Sequence, residues 1–350
     1  MRRGEVAENA MVLRAKIDMA HPNMTMRDPV IYRVCHTPHH ATGDTWKIYP
    51  MYDFAHPISD AIEHITYSLC TLEFEDHRPL YDWVIHHCHD LLNHTPHQME
   101  FARLDVEGVV LSKRKLHAVV ERGEVNGWED PRMPTVGGLR ARGYTPAMLR
   151  LFVERCGVSK VNSVITNDVL EGCVADVLGP VAERRLAIAE PVVMHIRGLT
   201  STLNVEMPNH PKDPARGHRG MTLPETIWVD KADVRLHPEA NFWRIAPGNW
   251  VRLKHGLNVY IEAVLEKEDG SYVVEAVADM PSVHIKAATH KAKATLHWLN
   301  PEDAVERVRY HYGDLLDEEG NVSPEACRSK SIWVEKSMPS STHYEFERMG

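Results

Sequence analysis

The sequence predicts a multidomain fold in which an α/β region is followed by helices and then by an all-β region. Strand and helix patterns alternate up to about residue 125, and helical periodicity dominates from Gly127 to Gly179. Only short strand patterns with turn signals follow Pro180. A chain of 350 residues is long enough for several domains with their own hydrophobic cores.

Composition excludes several classes of protein. The apolar fraction of 43% and charged fraction of 25% are ordinary for a globular protein. No apolar run approaches the ~20 residues of a membrane span, and the opening residues lack the apolar core of a secretory signal, so we expect a cytoplasmic protein. Six cysteines without a C-x-x-C pair indicate reduced thiols.

The formal net charge of −9 argues against a general nucleic-acid binder, although local basic faces remain possible. Candidate basic faces are Lys113 to Lys115, Arg140 with Arg142, Arg184 with Arg185, and Lys286 to Lys293. Taken singly, each is also typical of an ordinary solvated surface.

The α/β region begins at residues 13–19, where apolar and charged residues alternate as in a half-buried strand. Strand patterns follow at residues 30–34 and 46–49. A helical pattern is then carried by four apolar residues, Ile58, Ile62, Ile65 and Leu69. This alternation predicts a layer with a parallel sheet.

Tyr52, Asp53 and His56 cluster where the strand before them ends. Ligands bind at the carboxyl ends of strands in open α/β sheets, so the cluster is a candidate site. In the alternative interpretation the aromatic rings pack and Asp53 caps the next helix. The residues alone favour that second interpretation.

A cationic segment, Val110-Leu111-Ser112-Lys113-Arg114-Lys115, follows a strand-like stretch and predicts a loop. A lysine and backbone amides there can stabilise the charge that develops as pyrophosphate leaves a triphosphate. By itself the segment also fits a solvated basic turn.

Capping residues and turn residues predict the helices and strands of the helical and all-β regions. Thr145 can cap a helix that has Pro146 at its first position and Gly157 just past its end. Asn167 opens a second helix that stops at Gly179. Asp269-Gly270 predicts a hairpin, and the strands after Pro180 predict a barrel or sandwich, with a domain boundary near residues 179–190.

A histidine-rich group raises the question of zinc: His86, His87, Cys88, His89, His94 and His97. Its spacing fits no standard structural zinc site, and a helix would point these side chains in several directions. We therefore expect surface or partly packed residues and no bound metal. The absence of a Gly-x-Ser-x-Gly elbow excludes a hydrolase of that type.

Several blocks resemble the glutaminyl branch of class I aminoacyl-tRNA synthetases. The most specific are Tyr49-Pro50-Met51-Tyr52-Asp53-Phe54, Ser68-Leu69-Cys70-Thr71-Leu72-Glu73-Phe74 and Gly127-Trp128-Glu129-Asp130-Pro131-Arg132-Met133-Pro134-Thr135. Others lie at residues 39–46, 63–66, 80–84, 100–104 and 139–144, with looser matches at 207–211 and 296–298. The resemblance covers residues 10–350 and is most specific in the first 150.

The resemblance implies four parts. Residues 1–40 would belong to an acceptor-binding insertion, and residues 41–125 would be the second half of a Rossmann-like catalytic domain with the Ser-Lys-Arg loop. Residues 126–179 would form a helical stem-contact region, and residues 180–350 incomplete anticodon-binding β-barrels.

The implied function is ATP-dependent activation of glutamine and its transfer to glutamine-specific tRNA. The implied catalytic groups are Ser112, Lys113 and Arg114. The implied ATP-binding residues are Thr71, Arg103, Leu104, Leu111, Ser112 and Lys113, and the glutamine-binding residues are Tyr52 and His56. The implied tRNA-binding residues are Asp76, Ser159, Lys160, Asn162 and Thr166. Mg²⁺ would accompany ATP, no structural metal is expected, and we expect a monomer.

Three departures from the family pattern qualify this expectation. Leu111 stands where the family usually has methionine, and two extra residues lie within residues 86–97. The resemblance also implies truncation at both ends: the first half of the nucleotide site, with its His-x-Gly-His motif, is not matched, and residues 346–350 fall before a final barrel strand. We therefore expect the chain alone to bind tRNA weakly and to catalyse little.

Two other functions remain open. The chain could be a non-catalytic tRNA-binding module or one half of a split enzyme. It could also be the related glutamate–tRNA ligase, although Ser68-Leu69-Cys70-Thr71-Leu72 resembles the glutaminyl branch more closely. Selection of a carboxylate would also favour an added cationic partner.

Overall fold

The structure is a computed structural model that describes residues 1–338 and 343–346. The chain divides into two compact units, one of residues 1–107 and 155–165 and the other of residues 108–154 and 166–350. Of the terminal segment discussed above, residues 347–350 lie outside the described residues. Among the described residues, no helix combines the length and apolar character needed to cross a bilayer.

The first unit combines an antiparallel sheet, two parallel strand pairs and two helices. Its strands are β1 (Val12–Arg14), β2 (Val30–Val34), β3 (Ile48–Pro50), β4 (Tyr67–Thr71), β5 (His97–Phe101), β6 (Leu104–Val106) and β7 (Ser163–Ile165). Its helices are α1 (Tyr52–Ile62) and α2 (Arg78–Cys88). Strands β1, β2 and β3 are antiparallel, whereas β4 pairs in parallel with β5 and β6 with β7. The expected parallel pairing is therefore found after Tyr67, while the first three strands differ from it.

Apolar faces of α1 and α2 pack the core of this unit. Leu80 and Val84 of α2 are buried with Met26, and Phe54 and Ile58 of α1 pack against them. This contact places the start of α1, which carries Tyr52, on a packed layer. Burial of such side chains contributes about 1.5–3 kcal/mol each.

Two local predictions in this region are wrong. Residues 13–19 do not form one strand, because β1 ends at Arg14 and Ile17 N instead donates to the Asp28 carboxylate at 2.7 Å. Such side-chain acceptors compete with a strand ladder. Helix α1 also ends at Ile62, and His64 follows with φ of 59°, so Leu69 lies in β4 instead of on the helix.

The second unit begins with helices. These are α3 (Lys113–Glu121), α4 (Val136–Ala141), α5 (Pro146–Cys156, whose last two residues belong to the first unit) and α6 (Asn167–Leu178). Thr145 caps α5 as predicted, since its Oγ1 accepts from Met148 N at 3.4 Å. Gly157 follows α5 with φ of 68°, which confirms the predicted stop.

The rest of the second unit is all-β, as predicted. Its strands are β8 (Glu183–Arg184), β9 (Ala187–Ile188), β10 (Pro191–Arg197), β11 (Leu203–Pro208), β12 (His218–Leu223), β13 (Thr226–Asp230), β14 (Trp250–Leu253), β15 (Asn258–Glu266), β16 (Tyr272–Asp279), β17 (Ala294–Leu296), β18 (Ala304–His311), β19 (Arg328–Glu335) and β20 (Tyr344–Glu345). The largest sheet has the order β13-β10-β16-β15-β14-β17. The predicted hairpin is confirmed, because β15 and β16 are antiparallel and Gly270 has φ of 75°.

Candidate functional site

A tyrosine pocket lies in the first unit where β3 leads into α1. We define the pocket by Tyr52, His56, Cys70 and Phe74. The Tyr52 ring centroid is 5.0 Å from the His56 ring and 5.0 Å from the Phe74 ring, and its hydroxyl is 3.8 Å from Cys70 Sγ. Tyr52 is 49% exposed, so a ligand can reach it.

The Tyr52 hydroxyl remains protonated at neutral pH. Burial above all, together with the contact to Cys70, raises the pKa of Tyr52 to about 12. Asp53 and Asp60 act in the same direction, because their negative charges disfavour a phenolate. A neutral phenol beside two carboxylates suits a neutral hydrogen-bonding ligand better than an anionic one.

A chain of polar contacts holds the His56 ring behind this pocket. His56 Nε2 lies 3.0 Å from Asp60 Oδ2 one turn along α1. Ser68 Oγ donates to the same carboxylate, and the Tyr81 hydroxyl lies 2.7 Å from Ser68 Oγ. A histidine whose partner carboxylate is itself hydrogen-bonded has a defined ring orientation.

Thr71 and Arg103 lie at the carboxyl end of the β4–β5 parallel pair. Thr71 is the last residue of β4, opposite Phe101, and Arg103 follows β5 by two residues. Arg103 Nε donates to Asp105 Oδ1 at 2.9 Å, and Leu104 beside it is 38% exposed. This edge of a parallel pair is where ligands bind in α/β folds.

The expected tRNA-facing residues of the first unit fall into two places. The Asp76 side chain is exposed, and its backbone oxygen accepts from Asn23 Nδ2 at 2.6 Å. Ser159, Lys160 and Asn162 lie together in the segment before β7.

A buried carboxylate anchors this second group. Lys160 Nζ lies 3.3 Å from Glu100 Oε2, and Arg78 pairs with the same carboxylate. Because of these partners, Arg78 above all, the pKa of Glu100 falls to about 2.

The cationic segment is not the predicted loop. Ser112 is the N-cap of α3 and its Oγ accepts from Lys115 N at 3.5 Å, so Lys113 and Arg114 are the first helical residues. Leu116 and Val119 are buried with Val125, and this apolar spacing extends a helix from the cap. Residues 111–115 remain exposed. Thr166, also in the second unit, is the N-cap of α6.

A cationic cavity of about 280 Å³ lies in the second unit. Its basic lining residues are Arg184, Arg185, Arg219, Lys254 and His255, and burial together with the neighbouring cations lowers the pKa of His255. The basic pair Arg184 and Arg185 was visible in the sequence, whereas Arg219, Lys254 and His255 were missed. They are distant in sequence, and no local pattern joins them.

The chemistry of this cavity favours an acceptor-rich ligand. Arg185 Nε is buried and has no hydrogen-bond partner among the residues that the structure describes. Burial and the neighbouring Arg184 and Arg219 lower the pKa of Lys254. His255 adopts φ of 57°, a strained conformation of the kind found at functional sites.

No group of three or more possible metal ligands occurs among residues 1–338 and 343–346. In the histidine-rich group, His87 stacks on Trp83 with ring centroids 3.9 Å apart, and its Nδ1 lies 2.8 Å from Trp83 O. His94 Nε2 lies 2.9 Å from Ile65 O.

Two family models match this chain. The catalytic domain of the class I tRNA synthetases (E and Q) matches residues 1–179, and the anticodon-binding domain of the same family matches residues 182–281.

Curated relatives are similar along most or all of the chain. Glutamine–tRNA ligases of Actinobacillus succinogenes and Cupriavidus metallidurans are 43% and 41% identical over the whole chain, and that of Clostridium perfringens is 44% identical over 87% of it. The chain spans 65%, 64% and 56% of the lengths of these three relatives.

Proposed function

Because this chain belongs to the class I tRNA synthetases for glutamate and glutamine, we propose that it serves the ATP-dependent attachment of glutamine to tRNA. In this reaction the glutamine carboxylate attacks the α-phosphorus of ATP and displaces pyrophosphate. A ribose hydroxyl at the tRNA end then attacks the adenylate carbonyl and releases AMP. The curated relatives carry the name of this activity.

We assign the selection of glutamine to the tyrosine pocket. Its protonated hydroxyl can exchange hydrogen bonds with a side-chain amide, and Asp53 and Asp60 disfavour a further carboxylate nearby. A site that hydrogen-bonds a specific group rejects ligands that lack it. The glutamate alternative is less supported, since the relatives above are named for glutamine.

For ATP, we assign the main role to the start of α3. Lys113 would stabilise the departing pyrophosphate, Ser112 would orient the helix start, and Arg114 would add positive charge. Thr71, Arg103, Leu104 and Leu111 would contact the nucleotide, and Mg²⁺ would accompany its phosphates.

For tRNA, we assign the cationic cavity to a splayed base or a phosphate, because its lining is basic and the buried Arg185 Nε has no hydrogen-bond partner among the described residues. Asp76, Ser159, Lys160, Asn162 and Thr166 would face other parts of the RNA. The same cavity favours a second candidate function, a tRNA-binding module without turnover.

Aminoacylation of glutamine tRNA tests the proposal. The chain alone is compared with a fusion that adds the unmatched portion of the Actinobacillus succinogenes enzyme. We expect both proteins to bind the tRNA, the fusion to catalyse glutamine-dependent pyrophosphate exchange, and the chain alone to catalyse little.

Three outcomes separate the functions. Exchange driven better by glutamate would reject the choice of glutamine. Tight tRNA binding by an inactive fusion would favour the binding module. Full activity of the chain alone would contradict the low activity expected of it.

A further inference from the structure

A buried ion pair, Glu335 with Arg219, lies beside the cationic cavity. The side chains are 2% and 10% exposed, and Arg219 Nε and Nη2 donate to the two carboxylate oxygens at 2.5 and 2.6 Å. This two-point geometry fixes the guanidinium plane as well as its position. Neither residue was singled out by its sequence pattern.

The Glu335 carboxylate has a complete set of partners. Besides Arg219, Oε1 accepts from Leu186 N at 2.5 Å and Oε2 accepts from Ser337 Oγ at 2.9 Å. Leu186 also lines the cavity, so the Glu335 carboxylate is hydrogen-bonded to two lining residues, Arg219 and Leu186. A buried carboxylate destabilises the fold less when both its oxygens accept hydrogen bonds, and these hydrogen bonds make its surroundings rigid.

Arg219 is similarly occupied by protein acceptors. Its Nη1 donates to Pro208 O at 3.1 Å and Asn209 Oδ1 at 3.4 Å, and its Nη2 lies 3.9 Å from Met207 Sδ. A guanidinium has five N–H donors, and these contacts together with Glu335 account for them. Arg219 would therefore have to give up a protein partner to bind a ligand directly.

We propose that Glu335 is a positioning residue for the cationic cavity, acting through Arg219 and the Leu186 backbone. The pair joins the end of β19 to β12, to the end of β11 and to the segment between β8 and β9. It keeps the cavity wall in its binding shape before RNA arrives, which lowers the ordering cost of association. This proposal rests on the proposed tRNA-binding function of the cavity.

The first experiment compares Glu335→Gln with Glu190→Gln in the full chain. Glu190 is a matched control because it also pairs with a cation, Lys330, but on the exposed surface. Well below the melting temperature, we expect Glu335→Gln to weaken glutamine tRNA binding about tenfold or more and Glu190→Gln to leave it unchanged. Equal affinities of the two variants would overturn the proposal.

Salt dependence separates positioning from direct contact. If Arg219 only positions, Arg219→Gln lowers affinity while the slope of log K against log salt is unchanged. If Arg219 contacts a phosphate, the slope falls by about 0.7–0.9, which would overturn the assignment. Ser337→Ala, which removes one hydrogen bond and keeps the ion pair, serves where Glu335→Gln fails to fold, with a smaller loss of affinity expected.

Hydrogen exchange makes failure of the two proposals distinguishable. We expect the Leu186 amide to exchange faster in Glu335→Gln than in Glu190→Gln, with or without tRNA. A wild-type chain that does not bind tRNA would reject the proposed function, and Leu186 exchange would still decide whether Glu335 orders the wall. Equal exchange in the two variants would overturn the positioning role.

Discussion

At the scale of single residues, chemistry in the first unit depends on how neighbouring groups set charge. Glu100 is buried and interacts with Arg78, Gln98 and Lys160, which hold its pKa at about 2. The pKa of Tyr52 is shifted in the opposite direction, because burial raises it and keeps the hydroxyl neutral. The first unit thus holds both a buried anion and a neutral hydrogen-bonding hydroxyl.

From the lowered pKa of Glu100 we predict that the protein loses stability in acid. The pKa of Glu100 is lowered on folding, so its stabilising effect is present above the unfolded value near 4.5 and is lost as pH falls through about 2. We expect Glu100→Gln to reduce the free energy of unfolding at pH 7 by about 3 kcal/mol, and the difference from wild type to shrink towards pH 2. Urea unfolding at several pH values measures this.

The control for this prediction is Glu129→Gln, since Glu129 and its partner Arg140 are 76% and 73% exposed. A surface pair contributes about 0–1 kcal/mol, so little change is expected at any pH. A constant difference between Glu100→Gln and wild type from pH 7 to pH 2 would contradict the role of the carboxylate charge.

Tyr52 predicts a change in substrate binding. In the active fusion, Tyr52→Phe removes the hydroxyl and keeps the ring, so we expect KM for glutamine to rise about tenfold and discrimination against glutamate to fall. Steady-state pyrophosphate exchange measures both. Tyr67→Phe is the matched control, because Tyr67 is 56% exposed on β4, and an equal effect of the two substitutions would remove Tyr52 from the amide site.

At the scale of elements, α4 is held against the turn before it by a close backbone approach. A Cβ on Gly138 would lie 2.1 Å from Met133 O and 2.7 Å from Asp130 O. Met133 is fully buried, and the Asp130 carboxylate accepts from Asn126 N and Arg132 N at 2.8 Å each. Neither backbone oxygen can move without disturbing this turn.

We therefore expect substitutions of two adjacent glycines of α4 to have different effects on the stability of the protein. Gly138→Ala is expected to destabilise the protein by about 1–3 kcal/mol through backbone displacement. Gly137→Ala meets the flexible Glu129 side chain, with Cγ at 3.1 Å, and the Glu129 Cα at an ordinary contact distance of 3.4 Å, and is expected to be neutral or to stabilise by up to about 1 kcal/mol. Thermal unfolding of the pair measures this, and equal melting temperatures would show that the close approach is unimportant.

Another element-scale feature is the packing of α3 on the β18–β19 connection. Leu116 and Val119 of α3 share a buried cluster with Leu315 and Ala326. A Cβ on Gly108, just before α3, would lie 2.3 Å from Asp314 Oδ1. The position of Lys113 thus depends on a connection about 200 residues later in the chain.

Leu315→Ala tests this dependence. Removing the buried side chain leaves a cavity, so we expect a loss of about 2–5 kcal/mol and faster amide exchange in α3. Hydrogen exchange measured by mass spectrometry resolves α3 from α6, which serves as the internal reference. Unchanged exchange in α3 would show that the helix start is held by its own cap alone.

At the scale of the whole molecule, a net charge of −9 coexists with a cationic cavity. Long-range repulsion of RNA by the acidic body and local attraction by the cavity oppose each other. Binding should therefore depend on a few local phosphate contacts, which salt weakens by screening and counterion competition.

This balance predicts steep salt dependence for tRNA and weak binding of other polyanions. Between 50 and 200 mM salt, we expect tRNA affinity to fall about tenfold or more. A DNA duplex of similar charge should bind much more weakly at each salt concentration, because it offers no splayed bases. Filter binding measures both, and equal affinity for the two nucleic acids would reject specific recognition.

Much of the fold could be predicted from local sequence. Thr145 and Gly157 mark the ends of α5, and Asp269-Gly270 marks the β15–β16 hairpin, because caps and turns depend on the few residues that form them. Prediction failed where contacts with residues distant in the sequence determine the local secondary structure. Residues 13–19 leave the strand because Asp28 competes for Ile17 N, and the cationic segment is helical because Leu116 and Val119 find a distant core.

The sequence by itself determined the family, the order of helices and strands in most of the chain, and which residues are candidates for binding an amide, a triphosphate and RNA. Only the tertiary structure decided that Arg219, Lys254 and His255 share one cavity with Arg184, and that Arg219 donates to the buried Glu335 carboxylate. The physical reason is that caps, turns and periodicity act over a few residues, whereas a cavity and a buried ion pair join side chains separated by up to 116 positions.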